Sequence, residues 1–284
     1  MLHRRLMYKT LRRLYNWARN DPVDEELRGW NWDSPPLKPR AYLELGVSEV
    51  AGKYCDTRRD IWLKRKASIQ PQHVETLAKG KMVHEAIAHA LREAWRNLAR
   101  GTDPWDAYEY AREKWRKIET NGDSDMVRKI YKATLLTLLG EVAYETLVHG
   151  TRNLPVTISE YRVDGSNLGL SHSLSVDVVG EAGIIIDYKT GAPRDFHKLT
   201  ITGYALALEA DYETPHDYGL IVYVNISDNH NPRIHLRPVY VNSHLRRWFI
   251  AERDEIIDML LENREPPISS NCPTQCPYYA VCHP

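Results

Sequence analysis

Apolar residues recur at helical spacing through most of the first half of the chain, and at strand spacing through much of the second. Leu2, Leu6, Met7, Leu11, Leu14 and Tyr15 trace one stripe, while His3, Arg4, Arg5, Lys9, Arg12 and Arg13 fall on the other face. The pattern predicts an amphipathic helix packed on a core with a solvated basic face. Gly29 to Pro39, rich in proline and tryptophan, predicts a loop. Ser48 is placed as the N-cap of a short helix running toward Tyr54 and Cys55, and Arg58 to Lys66 as a second helix with a basic face. Leu77, Val83, Ile87, Leu91, Ala94 and Trp95 predict a long helix over His73–Leu98, stopped near Gly101. Helices at about Pro104–Glu119 and Ser124–Val148 follow, the second with Leu135, Leu136, Leu138, Leu139 and Val142 as core and Gly150 as its stop.

Strand patterns then take over. Val156–Val163 reads as a first strand, Tyr218–Ile226 and Arg233–Val241 as later ones, with helices at Asp195–Leu208 and Asn242–Glu262. Between them, Leu174–Gly191 reads as a hairpin: Val176, Val178 and Val179 lead up, Glu181 and Ala182 make a two-residue turn followed by Gly183, and Ile184, Ile185 and Ile186 return. The expected fold class is α/β, a mixed sheet flanked by helices. Residues 1–150 form a helical N-terminal part, 151–264 the core and 265–284 a cysteine-rich tail.

The hairpin carries the chemistry. The apolar return strand belongs in a covered position, so Asp187 and Lys189 at its end are expensive to bury without partners. The antiparallel return brings Asp177 and Asp187 to one sheet edge, and a period of two puts Asp187 and Lys189 on one face. Two carboxylates with an ammonium beside them suit a divalent cation and phosphodiester hydrolysis. Asp-x-Lys alone is more often a solvated surface pair; the upstream Asp177 and the buried-strand pattern tip the balance. His84 falls with the apolar stripe of its helix, where a core histidine and a metal ligand are both open readings. His89 projects elsewhere and is given no role.

Cys272, Cys276 and Cys282 crowd into a tail with no hydrophobic period of its own, which points to metal ligation, and Cys55 is the one other cysteine. Four cysteines suit structural zinc or an iron-sulfur cluster equally well by spacing. They do not resemble the disulfide framework of a small secreted protein. With 38 basic and 38 acidic residues the net charge is zero, so nucleic-acid affinity must come from local patches. Arg58, Arg59 and Lys64 are candidates for a DNA path beside Cys55. No apolar run reaches membrane-spanning length and no secretory signal is evident, so a cytoplasmic location is expected. Glutamine occurs only at positions 70, 72 and 275, a weak sign of a thermophilic source.

The ending Asp187-Tyr188-Lys189-Thr190-Gly191, with Asp177 upstream, resembles the RecB-like branch of the PD-(D/E)xK nucleases. Gly80-x-x-x-His84, Tyr204 and the order of Cys55 before and three cysteines after the core extend the likeness to CRISPR-associated RecB-like exonucleases. The block Val47-Ser48-Glu49-Val50 with Tyr54-Cys55 is similar to the archaeal subfamily linked to type I-A systems. Where that branch carries a glutamine a turn before the tyrosine, this chain has Thr200. The resemblance implies a restriction-endonuclease-like core with an iron-sulfur cap. It implies Mn²⁺ or Mg²⁺ on His84, Asp177, Asp187 and the Tyr188 carbonyl, with Lys189 and Tyr204 in the reaction centre and Glu160 a further acid near it. It implies a [4Fe-4S] cluster on Cys55, Cys272, Cys276 and Cys282. The implied activity is cleavage of single-stranded DNA ends, commonly from the 5′ side, alongside CRISPR integrase proteins during spacer capture. The alternative is a non-catalytic DNA- or protein-binding iron-sulfur module.

Overall fold

Five strands form one mixed sheet in chain order in the computed structural model, which describes residues 4–116, 124–150, 157–226 and 232–284. They are β1 (Ile158–Val163), β2 (Leu174–Val179), β3 (Ile185–Lys189), β4 (Tyr218–Ile226) and β5 (Pro232–Tyr240). Every neighbouring pair is antiparallel except β3 and β4, which run parallel. The β2–β3 return differs from the short turn expected. A 3₁₀ turn at Glu181–Gly183 sits between Gly180 and Ile184, whose backbones bond over 2.8 Å, and Ala182 takes a left-handed φ of 55°.

The helices are α1 (Arg4–Asn20), α2 (Val47–Ala51), α3 (Arg59–Arg65), α4 (Glu75–Ala99), α5 (Pro104–Arg116), α6 (Ser124–His149), α7 (His197–Tyr212), α8 (Ser243–Leu261) and α9 (Tyr279–Cys282). Parallel neighbours need a crossover, and α7 supplies it between β3 and β4. Its approach to the sheet is close: a Cβ at Gly219 of β4 would stand 2.3 Å from Ile201 Cγ2, so only glycine fits there. On the other side α7 packs against α2 and α8, while α4, α5 and α6 pack together and α4 touches β1. No helix among the described residues is long and apolar enough to cross a membrane.

Several local expectations change. Leu2, His3, Val156 and residues 117–119 lie outside the described residues. The N-cap of α2 is Gly46, with Glu49 reaching back to its amide over 2.7 Å; Ser48 is the second residue of the helix. Leu136 is 45% exposed rather than core, because α6 turns only its Leu135, Leu138, Leu139 and Val142 face inward. The basic residues at α3 are engaged by partners within the molecule, Lys64 from the surface and Arg58 from the interior, which corrects the free cationic face expected for a DNA path. Arg58 is 3% exposed and donates to the carbonyls of Val50, Gly52 and Glu49 at 2.8, 3.0 and 3.3 Å. Arg59 pairs with Glu265 at 2.6 Å, and Lys64 with Glu49 at 2.9 Å.

A buried ion network fixes the N-terminal loop to the core. Arg246 and Glu209 are fully buried and joined by bonds of 2.6 and 2.8 Å; Arg28 reaches Glu209 at 3.1 Å and Asp217 pairs with Arg246 at 3.0 Å. The amides of Gly29 and His216 fill the remaining acceptor sites on Glu209. Buried charge is tolerated only when paired and hydrogen-bonded in this way.

Candidate active site

The register of the hairpin brings the two acids together. Val178 pairs with Ile186 and Val179 with Ile185, so one step further Asp177 stands opposite Asp187. There the ladder gives way to a side-chain bond: the Tyr188 backbone N–H donates to Asp177 Oδ2 over 2.8 Å. Asp187 is 3% exposed. Its Oδ1 accepts from Lys189 Nζ over 2.9 Å, while its Oδ2 is buried with no hydrogen-bond partner. Such an orphaned oxygen calls for an explanation in chemistry rather than packing.

Helix α4 brings His84 against this edge. Its Nδ1 lies 3.3 Å from Asp177 Oδ2, and its ring meets Tyr188 edge to face at 6.4 Å between centroids. Gly80, one turn earlier, permits the approach, since a Cβ there would come within 3.2 Å of Thr190 Oγ1. Across β1 and β2 the register points Glu160 at Asp177, but Glu160 departs from the strand with φ 54° and accepts from Ser175 Oγ over 2.8 Å. A left-handed glutamate inside a strand is stored strain of the kind that clusters at functional sites. Tyr204, half-buried on α7, lies within electrostatic reach of Asp177, Asp187 and Glu160.

The charges perturb one another. Burial, reinforced by Asp177, pushes Asp187 up to about 6 although Lys189 and His84 pull the other way. For His84 burial disfavours the imidazolium, yet the Asp177 bond and the charges of Asp177 and Asp187 outweigh it and raise its pKa. Lys189 follows the same balance: burial lowers, Asp187 and Asp177 raise, and the sum is upward. Burial followed by the neighbouring acids raises Tyr204. Titratable groups perturbed together by burial and by specific charged neighbours beside a cleft mark a candidate reaction centre.

His84, Glu160, Asp177, Tyr188 and Lys189 line a cleft of about 1400 Å³, together with Lys79, Lys81, Arg92, Arg162, Tyr54, Cys55, Cys272 and Cys276, while Asp187 is buried and off its surface. All four cysteines are free thiols. Burial lifts Cys272 to about 11, and Cys276, Cys282 and Cys55 each add to the rise, so Cys272 sits within the field of the other three. Cys282 is buried with Tyr278 and Leu63, against which Cys276 packs. Among the described residues no three His, Cys, Asp or Glu side chains close on a common point suited to one ion. Asp177 and Asp187 are instead turned to His84, the Tyr188 amide and Lys189.

The structure therefore brings His84, Asp177, Asp187, Tyr188, Lys189 and Tyr204 to one edge, and Cys55 to the tail cysteines. Thr200 is buried on α7. The sequence left Tyr54 and His197 unmarked; a tyrosine beside a cysteine and a histidine at a helix start carry no periodic signal.

A profile of the family described as CRISPR-associated exonuclease Csa1 matches residues 1–284. The chain belongs to that family. The likeness drawn from the motifs to the CRISPR-associated exonucleases is thereby borne out. Among its relatives, the CRISPR-associated exonuclease Csa1 of Thermoproteus tenax is 32% identical over 269 residues, covering 92% of this chain and 91% of the relative. The Csa1 protein of Saccharolobus solfataricus is 31% identical over 284 residues, covering 92% and 93%.

Proposed function

We propose that this member of the Csa1 family is a metal-dependent nuclease that hydrolyses single-stranded DNA ends, in the 5′-to-3′ direction, during CRISPR spacer acquisition. The observation that carries the reading is Asp187 Oδ2, buried and unpartnered, opposite Asp177 and beside Lys189, both of which line the cleft. A non-catalytic module would have to maintain that buried carboxylate for no return in stability. The donor set fits a hard or borderline divalent cation, with imidazole favouring Mn²⁺. His84, Asp177, Asp187 and the Tyr188 carbonyl would hold Mn²⁺ or Mg²⁺, which when bound supplies polarisation of a phosphoryl oxygen and a water of lowered pKa. Lys189, tethered to Asp187 at 2.9 Å, presents its ammonium where negative charge develops on the phosphate and orients the attacking water. Tyr204, kept protonated by burial and acidic neighbours, serves as a hydroxyl donor rather than a base. Lys79, Lys81, Arg92 and Arg162 on the cleft wall supply the local basic charge that a neutral chain lacks globally.

On this reading residues 151–264 are a restriction-endonuclease-like core. Residues 1–150 bring His84 and Cys55 to it, and 265–284 close an iron-sulfur cap. Four free thiols, with Cys276, Cys282 and Cys55 all acting on Cys272, support a [4Fe-4S] cluster held by Cys55, Cys272, Cys276 and Cys282. The partner class is the CRISPR integrase. The test is degradation of end-labelled single-stranded DNA by the purified chain with Mn²⁺ or Mg²⁺, its arrest by EDTA, and its loss in Asp187→Ala and Lys189→Ala. Full activity in either variant, or activity untouched by EDTA, overturns the assignment.

A further inference from the structure

Tyr54, next to Cys55 in the chain, lines the same cleft as Asp177 and Lys189. Although 67% exposed, it is held in one orientation. Its hydroxyl bonds His197 Nε2 over 2.9 Å, and His197 Nδ1 bonds the Tyr223 hydroxyl over 3.1 Å. Phe196 meets its ring edge to face at 5.0 Å. His197 is 2% exposed and Tyr223 fully buried, so the chain of hydrogen bonds runs from the core of β4 to the cleft and ends on the phenol. The phenol lies within electrostatic reach of Lys189 and Asp187.

An exposed aromatic ring fixed this firmly is unusual, since a surface tyrosine ordinarily keeps its rotamer freedom and its hydroxyl in water. Here the hydroxyl is already engaged, so what the residue offers the cleft is the face of its ring. The ring's own support adds no cation, since burial and then Lys189 and Arg194 depress the pKa of buried His197 to about 4. The ring itself therefore offers a flat aromatic group a preorganised stacking partner, while Lys189 and Arg194 nearby supply charge for a phosphate.

We propose that Tyr54 is a stacking platform for one nucleobase of a single-stranded nucleic acid, buttressed by His197, Tyr223 and Phe196, and that it sets where the strand lies relative to Lys189. The proposal rests on the nuclease reading above and names a residue that positions substrate within it. A ring fixed in advance loses little entropy on stacking, and stacking is indifferent to base identity. The cleft is thus predicted to bind without sequence preference at this position.

The experiment places an adenine analogue, whose fluorescence is quenched on stacking, at each position in turn along a short oligodeoxythymidine, bound to the full-length chain with EDTA present to prevent cleavage. One position, a fixed number of nucleotides from the end, is expected to be quenched. Quenching should persist in Tyr54→Phe and Tyr54→Trp and vanish in Tyr54→Leu, with binding weakened by roughly 5- to 100-fold, the range for a lost base–aromatic stack. In turnover the Leu variant should raise KM by a similar factor and change kcat little. Binding with no quenched position, or quenching unchanged in Tyr54→Leu, overturns the role of Tyr54 and leaves the nuclease reading intact. A wild-type chain that binds no single-stranded DNA overturns both.

Discussion

The backbone N–H of Tyr188 donates to the side chain of Asp177, 2.8 Å away, at the point where β2 and β3 part. One carboxylate thus terminates a ladder and faces the reaction centre. The two roles separate by substitution. Asp177→Asn keeps an acceptor for the amide while removing the charge, so the melting temperature should hardly move while metal-dependent cleavage falls about 100-fold or more. Asp177→Ala should lose the same activity and in addition about 1 kcal/mol of stability, because the amide is left unpaired. Cleavage assays and thermal melts of the two variants side by side check this. Equal stability of Asn and Ala would show that the amide bond contributes nothing.

His84 separates a core residue from a ligand. Its side chain is 31% exposed and its nearest ionic neighbour is Asp177 at 3.3 Å, a position at the rim of the site rather than in the packed interior. His84→Ala should therefore change stability by less than about 1 kcal/mol. It should weaken activity sharply and raise the Mn²⁺ concentration needed for half-maximal rate. A destabilised but fully active variant would return His84 to the structural role that its apolar stripe first suggested.

The hairpin and strand β4 were legible because each announces itself through period. Alternating valines and a run of isoleucines fix which face Asp177, Asp187 and Lys189 occupy, and Tyr218–Ile226 folds over the span expected. What was illegible has no period. Arg246, Glu209, Asp217 and Arg28 are ordinary charges in the sequence; their burial depends on partners up to 189 residues apart. Arg58 looked like a solvated cation for the same reason, and its left-handed φ of 60° at the start of α3 is what turns it inward to the carbonyls of α2. Leu136 misled in the opposite sense, since hydrophobic residues are common on surfaces and only the packing of α6 decides which leucine is covered.

Acid sensitivity should concentrate at Glu49. Burial raises its pKa, but hydrogen bonds from Arg65 and Lys64 and from the Gly46 amide outweigh burial and hold it at about 2, against 4.5 for the free side chain. A carboxylate depressed in the folded state binds protons more readily when unfolded. Its stabilisation is therefore complete above pH 4.5 and is lost as the pH falls from there toward 2. The maximum is roughly 3 kcal/mol from 1.36 kcal/mol per unit. Asp60 beside it is raised by burial and changes stability in the opposite sense, so the informative quantity is the difference between wild type and Glu49→Gln. That variant should be less stable near neutrality and should converge on the wild type as the pH approaches 2. Parallel curves would show that Glu49 is not the titrating group.

The tail tests the tie between residues 55 and 282. Sequence alone suggested that the terminal segment needs an inorganic anchor to stay ordered, yet it has protein contacts of its own. Gln72 donates its amide to Pro277 O over 2.9 Å, Arg59 pairs with Glu265, and Tyr278 and Cys282 bury against Leu63. The proposed cluster thus adds to a docked tail rather than creating it. Cys55→Ser should bleach the brown colour of an anaerobically purified [4Fe-4S] protein, cut its iron content and lower its melting temperature together. The tail should nonetheless remain resistant to protease, because Tyr278 and Leu63 still cover it. Cys276→Ser should give the same loss of colour, since removing either end of the tie breaks the same centre. Cys272 tightens the test: its thiol is lifted to about 11 by burial and the neighbouring sulfurs, so without a metal centre it should alkylate slowly near neutral pH. Fast alkylation of Cys272 in an iron-free preparation would show that its thiol is not held up, and iron retained in Cys55→Ser would remove Cys55 from the set.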